Sequence, residues 1–142
     1  QIFYTVPIIF IGCIALYVFS RDLNVMMTGE EIAEHLGIDT ERVKKIILIV
    51  GSLITASSVS AGGIIGFVGL IMPHISRLII GSDNRALVPF SGILGAAFLV
   101  LADTLARIAM APVEIPVGII TAAFGGPFFL YLLIKNKNRE VK

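Results

Sequence analysis

The stretch Ser20–Lys45 reads SRDLNVMMTGEEIAEHLGIDTERVKK and forms a polar island in an otherwise oily chain. Ten charged residues fall inside it, with His35, one of two histidines in the sequence. On either side lie long uncharged runs. The 142 residues are 56% hydrophobic and 15% charged, with a mean hydropathy of +0.95, outside the range of ordinary soluble domains. A bilayer is the solvent this composition suits, and the island is where a soluble partner could grip a membrane protein.

A transmembrane helix needs roughly 20 apolar residues, because each residue adds ~1.5 Å and the hydrocarbon core is ~30 Å thick. Working outward from the island, the sequence predicts spans at 2–20, 43–61, 64–80, 86–106 and 115–134, with the polar region at 21–42. The uncharged run beginning at Ile46 is too long for one span and is divided at Gly62-Gly63, a pair suited to a tight turn. The fold class is therefore an all-α polytopic membrane protein with about five transmembrane helices and one short surface helix. The last span is too long and apolar for a signal-peptide core, so a removable targeting peptide is not expected. The chain starts with Gln at the edge of a span, which reads as a piece of a larger membrane protein.

Orientation follows from Lys and Arg in the connections. Arg21, Arg42, Lys44 and Lys45 lie in or beside the island. Arg77 and Arg85 flank the next turn on that side, and Lys135, Lys137, Arg139 and Lys142 follow the last span. The Gly62-Gly63 turn has none and the 103–114 connection only Arg107. Island, third turn and C-terminus are thus expected to be cytoplasmic, in a multi-pass protein of the cell (inner) membrane in contact with lipid. The net charge of +1 and the lack of a basic cluster give no reason to expect nucleic acid. Cys13 is the single cysteine, so no disulfide framework exists, and inside a span it reads as a packing residue.

Within the island, Thr28-Gly29-Glu30-Glu31 has the form of a capping box, with Thr28 as N-cap and Glu31 reaching back. Ile32, Ala33 and Leu36 are expected on one face, Glu30 and Glu34 on another, and Gly37 stands where a C-cap glycine belongs. Asp39 offers the next N-cap, for a helix running into the second span. The result is a helix of about two turns on the membrane surface. It either covers span ends or docks a partner.

Downstream motifs read first as membrane packing. Gly66 and Gly69, like Gly92 and Gly95, are small residues that let helices approach inside a subunit or across a dimer. Pro73 is expected to kink the third span, with His74 and Arg77 on one face near its cytoplasmic end, where interhelical hydrogen bonds or headgroup contact suit them. Asp103 and Arg107 are spaced i, i+4 in the favourable order for an ion pair. Gly125-Gly126-Pro127 is expected to interrupt the fifth span at mid-depth. No catalytic or metal-ligating set is apparent. An intramembrane enzyme would need paired Asp, Ser with His, or a His-Glu motif at one depth, whereas His74 and Asp103 are expected on opposite sides.

The run Glu31-Ile32-Ala33-Glu34-His35-Leu36-Gly37 resembles the coupling-helix motif of ABC importer permeases, Glu-Ala-Ala followed three residues later by Gly, with Ile32 replacing the first Ala. Four further segments follow in order: Gly66–Arg77 (GFVGLIMPHISR), Leu101–Arg107 (LADTLAR), Glu114–Thr121 (EIPVGIIT) and Gly125–Phe129 (GGPFF). Together they resemble the iron-siderophore, haem and vitamin B12 permease family, the type II ABC importers. The resemblance implies the last five of ten spans in a permease that works as a homodimer or paired with a second permease. It implies a separate ABC ATPase subunit docking on Glu30, Glu31, Ala33, Leu36 and Gly37. It also implies an extracytoplasmic substrate-binding protein placing a carboxylate on Arg107, and a fifth span, with Gly126 and Pro127, near the permeation path. No cofactor bound by the chain itself is implied. A zinc or manganese permease of the related metal-importer family is the alternative, and a purely anchoring subunit would leave the island unexplained.

Overall fold

The computed structural model describes residues 2–109 and 115–140. Among these residues the secondary structure is entirely helical: α1 (Ile2–Met26), α2 (Glu30–His35), α3 (Thr40–Gly62), α4 (Val68–Ile80), α5 (Asn84–Ala109) and α6 (Val117–Glu140). Four segments, Phe3–Met26, Thr40–Gly62, Asn84–Ala109 and Val117–Lys135, are long and apolar enough to cross a membrane. The chain divides into two compact units, residues 1–63 with 80–90, and residues 64–79 with 91–142.

In the first unit α1 and α3 pack antiparallel. They approach closely at Gly12, where a Cβ would come within 2.6 Å of the Ile54 side chain. The hydroxyls along α3 turn back onto its own backbone: Ser52 donates to the Leu48 carbonyl, Thr55 to Gly51 and Ser58 to Ile54, at 2.7–2.8 Å. That self-satisfaction lets a serine-bearing helix sit in hydrocarbon. α1 runs six residues past Ser20, so Arg21 to Met26 continue the first span rather than opening the island loop.

The second unit departs from expectation at two places. The third span does not begin at residue 64: α3 stops at Gly62, Gly63 turns with φ 79°, and residues 64–67 are non-helical before α4 starts at Val68. With 13 residues, α4 is only about 20 Å long. The cause lies at Phe67, which adopts φ 64°, a left-handed conformation costing an L-residue roughly 1–2 kcal/mol. Its side chain lies against Gly125 of α6 and its ring centroid is 6.4 Å from that of Phe129. The Ile64 carbonyl lies over Gly118 in the same way, so two glycines seven residues apart on α6 receive the unwound segment.

The other departure is α6 itself. Gly125-Gly126-Pro127 does not interrupt it, and the helix is continuous from Val117 to Glu140. Pro127 forfeits one backbone hydrogen bond, and Gly125, two residues before it, serves packing against Phe67. Of the small residues expected to join helices, Gly95 faces Met72 and Val68 of α4, which a Cβ there would meet at 3.7 and 3.8 Å, while Gly66, Gly69 and Gly126 face open space within the chain. Phe98 and Phe124 meet edge to face across α5 and α6 at 6.3 Å, and Ala102, Ala106 and Thr121 are buried.

A methyl group tests the Phe67 seat. In the full-length protein, Gly125→Ala should destabilise by about 1–3 kcal/mol through overpacking, seen as a lower Tm in detergent. Gly126→Ala, whose added carbon meets nothing, should not.

Candidate functional site

The polar island folds into a short helix held from three sides. α1 ends with Met27, Thr28 and Gly29 donating their N–H groups to Leu23, Val25 and Met26. The Thr28 hydroxyl follows, donating to the Val25 carbonyl at 2.7 Å. Thr28 is therefore not the N-cap of α2, and the expected capping box does not form. Gly29 takes that place with φ 138° and no side-chain cap, because the connection is so short that the Thr28 hydroxyl serves the helix it leaves.

The C-terminal signals hold as expected. Gly37 has φ 85°, its N–H donates to Glu34 at 2.9 Å, and the Ile38 N–H donates to Ala33 at 3.0 Å, the paired bonds of a Schellman cap. Two residues on, the Asp39 side chain accepts from the Arg42 N–H at 3.0 Å and starts α3.

Which way α2 faces is decided by Ala33, which is 0% exposed. It does not share a face with Ile32 and Leu36, which stand 51% and 68% exposed. A methyl side chain permits close approach to α1 and α3, so the apolar residue turned inward is the small one. Glu30 and Glu34 lie on the α3 side, where Lys44 Nζ is 2.5 Å from Glu30 Oε1 and the Thr40 hydroxyl donates to Glu34 Oε1 at 3.0 Å. Glu31, Ile32, His35 and Leu36 are left outward, with Met27 exposed beside them.

A second tether escaped the sequence reading. Asn24, in the last turns of α1, donates from Nδ2 to Asp83 Oδ1 at 2.6 Å and accepts on Oδ1 from the Asn84 N–H at 2.8 Å. Asn84 Nδ2 contacts Met27 Sδ at 3.2 Å. Asp83 also accepts from the Arg85 N–H at 3.0 Å, which makes it the N-cap of α5. The Asn24 hydrogen bond, the Arg85 N–H and then the Arg85 charge hold the Asp83 carboxyl below its usual value. Asp83 before a helix start is a legible cap signal, whereas its partner lies 59 residues away and no local pattern marks it.

The remaining site residues lie in the second unit. Arg107 Nε donates to Asp103 Oδ2 at 2.8 Å, an exposed i, i+4 pair as the spacing predicts. Pro73, His74 and Arg77 share the wall of a cleft with Gly69, Leu70 and Phe129, and the His74 ring meets Phe128 edge-on at 5.9 Å. Glu114 lies outside the described residues, and α6 begins after Pro116. Among the described residues no three His, Cys, Asp or Glu side chains gather at metal-binding distance.

Comparison with known proteins bears on this arrangement. Residues 1–135 match the FecCD transport family. The chain is 51% identical over 136 residues to the cobalamin import system permease protein BtuC of Halobacterium salinarum, covering 96% of this chain and 36% of that protein. It is 39% identical over 128 residues to the hemin transport system permease protein HmuU of Yersinia pestis, covering 90% and 38%. It is 43% identical over 116 residues to the iron(3+)-hydroxamate import system permease protein FhuG of Bacillus subtilis, covering 82% and 34%. The chain therefore spans little more than a third of the curated relatives it matches. Among solved structures, one described as an inward-facing conformation of a metal-chelate type ABC transporter is similar with a TM-score of 0.85 at 31% identity, over 94% of this chain and 44% of that one.

Because the folded-state pKa of Asp83 is lowered, its contribution is present above the unfolded carboxylate value of about 3.9. It is lost as pH falls through the lower folded value. Amide exchange at Arg85, Ala86 and Leu87, corrected for its intrinsic pH dependence, should accelerate as the medium is acidified below about pH 4. Asp83→Asn, which keeps a capping oxygen, should flatten that dependence.

Proposed function

The chain belongs to the FecCD transport family, and on that premise we propose that it forms the C-terminal part of the permease subunit of a type II ABC importer. Its substrate class is a metal chelate: cobalamin, haem, a ferric siderophore or a related complex. The relatives reported above are named for cobalamin, hemin and hydroxamate import, and they lend no support to the zinc or manganese alternative. The permease is not itself an enzyme. ATP is hydrolysed by a separate cytoplasmic subunit, and substrate arrives from an extracytoplasmic binding protein.

The observation that carries this reading is the seating of α2. Six residues are too few for a stable free helix, yet this one is fixed by a buried Ala33, by Lys44 and Thr40 on its acidic flank, and by glycine at both ends. What it turns outward is an apolar pair, Ile32 and Leu36, beside the Glu31 carboxylate. An ATPase pressing on that surface would meet an element rigidly joined to the spans it must move. Glu31, Ile32 and Leu36 make the contact, while Glu30, Ala33 and Gly37 hold the helix in position. Arg107, on the face expected outside, steers the binding protein by charge.

The basic connections favour a cytoplasmic island by the positive-inside rule. The Asn24 bonds to Asp83 and Asn84 support that topology locally, since they put the island and the 81–84 turn at one end of the first unit. The permease works as a homodimer or beside a second permease in the inner membrane, with its C-terminus in the cytoplasm. Gly66 and Gly69, open within the chain, are available to helices of the rest of the assembly.

Two substitutions test the assignment in the full-length permease reconstituted with its ATPase and binding protein. Leu36→Asp should lower ATP-driven uptake of labelled cobalamin, haem or ferric hydroxamate by roughly tenfold or more, the scale of losing an interface anchor, without removing the protein from the membrane. Unchanged uptake would return α2 to a role in covering span ends. Arg107→Glu should weaken binding-protein docking by about tenfold at low salt and less at high salt, measured by titration of the labelled binding protein.

A further inference from the structure

Asn24 occupies a position that packing alone does not require. Its side-chain amide uses both ends on one target, the start of α5: Nδ2 holds the Asp83 carboxylate at 2.6 Å and Oδ1 takes the Asn84 N–H at 2.8 Å. The same turn of α1 runs into Met27, Thr28 and Gly29, the connection to α2, and Asn84 reaches back to Met27 Sδ at 3.2 Å. A push on α2 therefore reaches three helices. It reaches α3 through Glu30–Lys44 and Glu34–Thr40, α1 through the covalent connection, and α5 through Asn24.

The third route matters because of where α5 goes. Its first residues belong to the first compact unit and the remainder, from Ser91 onward, to the second, and it runs as one helix from Asn84 to Ala109. Of the three places where the chain passes between units, this is the one inside a long continuous helix. A clamp on its N-terminus acts on the first turns of that helix, ahead of Pro89.

We propose that Asn24 is a positioning residue that clamps α5 to the coupling region, so that displacement of α2 is delivered to α5 through the Asn24 amide and not to α1 and α3 alone. The inference rests on the importer reading above. A charge-assisted bond and a bond to a capping N–H suit the task, because both are short, directional and attached to rigid backbone. An apolar contact in that place would slide.

The pair can be exchanged so that both bonds at position 24 are kept and only the cap on Arg85 is given up. In Asn24→Asp with Asp83→Asn, the carboxylate at position 24 still accepts from the Asn84 N–H and now accepts from the amide nitrogen at position 83, which takes the place of the oxygen that received both Asn24 and Arg85. Asn24→Asp alone sets two carboxylates against each other. In the full-length reconstituted importer, with labelled cobalamin, haem and ferric hydroxamate as probes, uptake per ATP hydrolysed should fall by roughly tenfold in Asn24→Asp, the scale of losing one hydrogen bond to a charged group, while the complex still assembles. The exchanged pair should restore it. An unchanged ratio in Asn24→Asp, a fall not restored by the exchange, or loss of assembled complex in both would overturn the clamp. If the unaltered permease shows no ATP-driven uptake of any probe, it is the importer reading that fails.

Discussion

Hydrocarbon offers no hydrogen bonds, and that constraint accounts for most of what the chain does. Backbone groups within the bilayer must be satisfied by the chain itself, which is why the spans are helices and why the serines and threonines of α3 fold back onto carbonyls four residues before them. Where the helix is given up, at residues 64–67, another helix must cover the exposed backbone. Gly118 and Gly125 of α6 have no side chains because the Ile64 carbonyl and the Phe67 ring need the space. The strained Phe67 backbone is held by that packing, since nothing local to the sequence would choose it.

The island obeys the opposite rule. Outside the hydrocarbon, polar side chains can be spent on fastening, and nearly every one between Asn24 and Lys45 that has a partner uses it to fix α2 or an adjoining helix end. The outcome is a short helix with two unlike sides: acidic residues and a methyl group turned to the protein, and a carboxylate with two large aliphatic side chains turned away.

Much of this was legible in the sequence. The positions of the long spans, the stop at Gly62-Gly63, the glycine cap at Gly37, the Asp39 cap and the Asp103–Arg107 pair all depend on neighbours a turn or so away, and local chemistry decides them. The misreadings share a different cause. Thr28 was eligible to cap α2 but is captured by α1. Ala33 looked like part of an apolar face, yet its size sends it inward. The late start of α4 goes with a contact between Phe67 and Gly125, residues far apart in the chain, and α6 runs unbroken through Pro127. Asn24 with Asp83 is the same case in polar form.

The unwound segment before α4 also bears on how the protein enters its membrane. A chain leaving the ribosome exposes residues 64–67 long before α6 exists, since the glycines that receive them come about fifty residues later. Until then four residues of non-helical backbone, one of them in a conformation it would abandon if free, lack the cover that α6 gives them. The long helices are each self-sufficient in hydrogen bonds, whereas the leader of α4 depends on α6 for its cover. A chain truncated within α6 would leave the segment before α4 without the glycines that receive it.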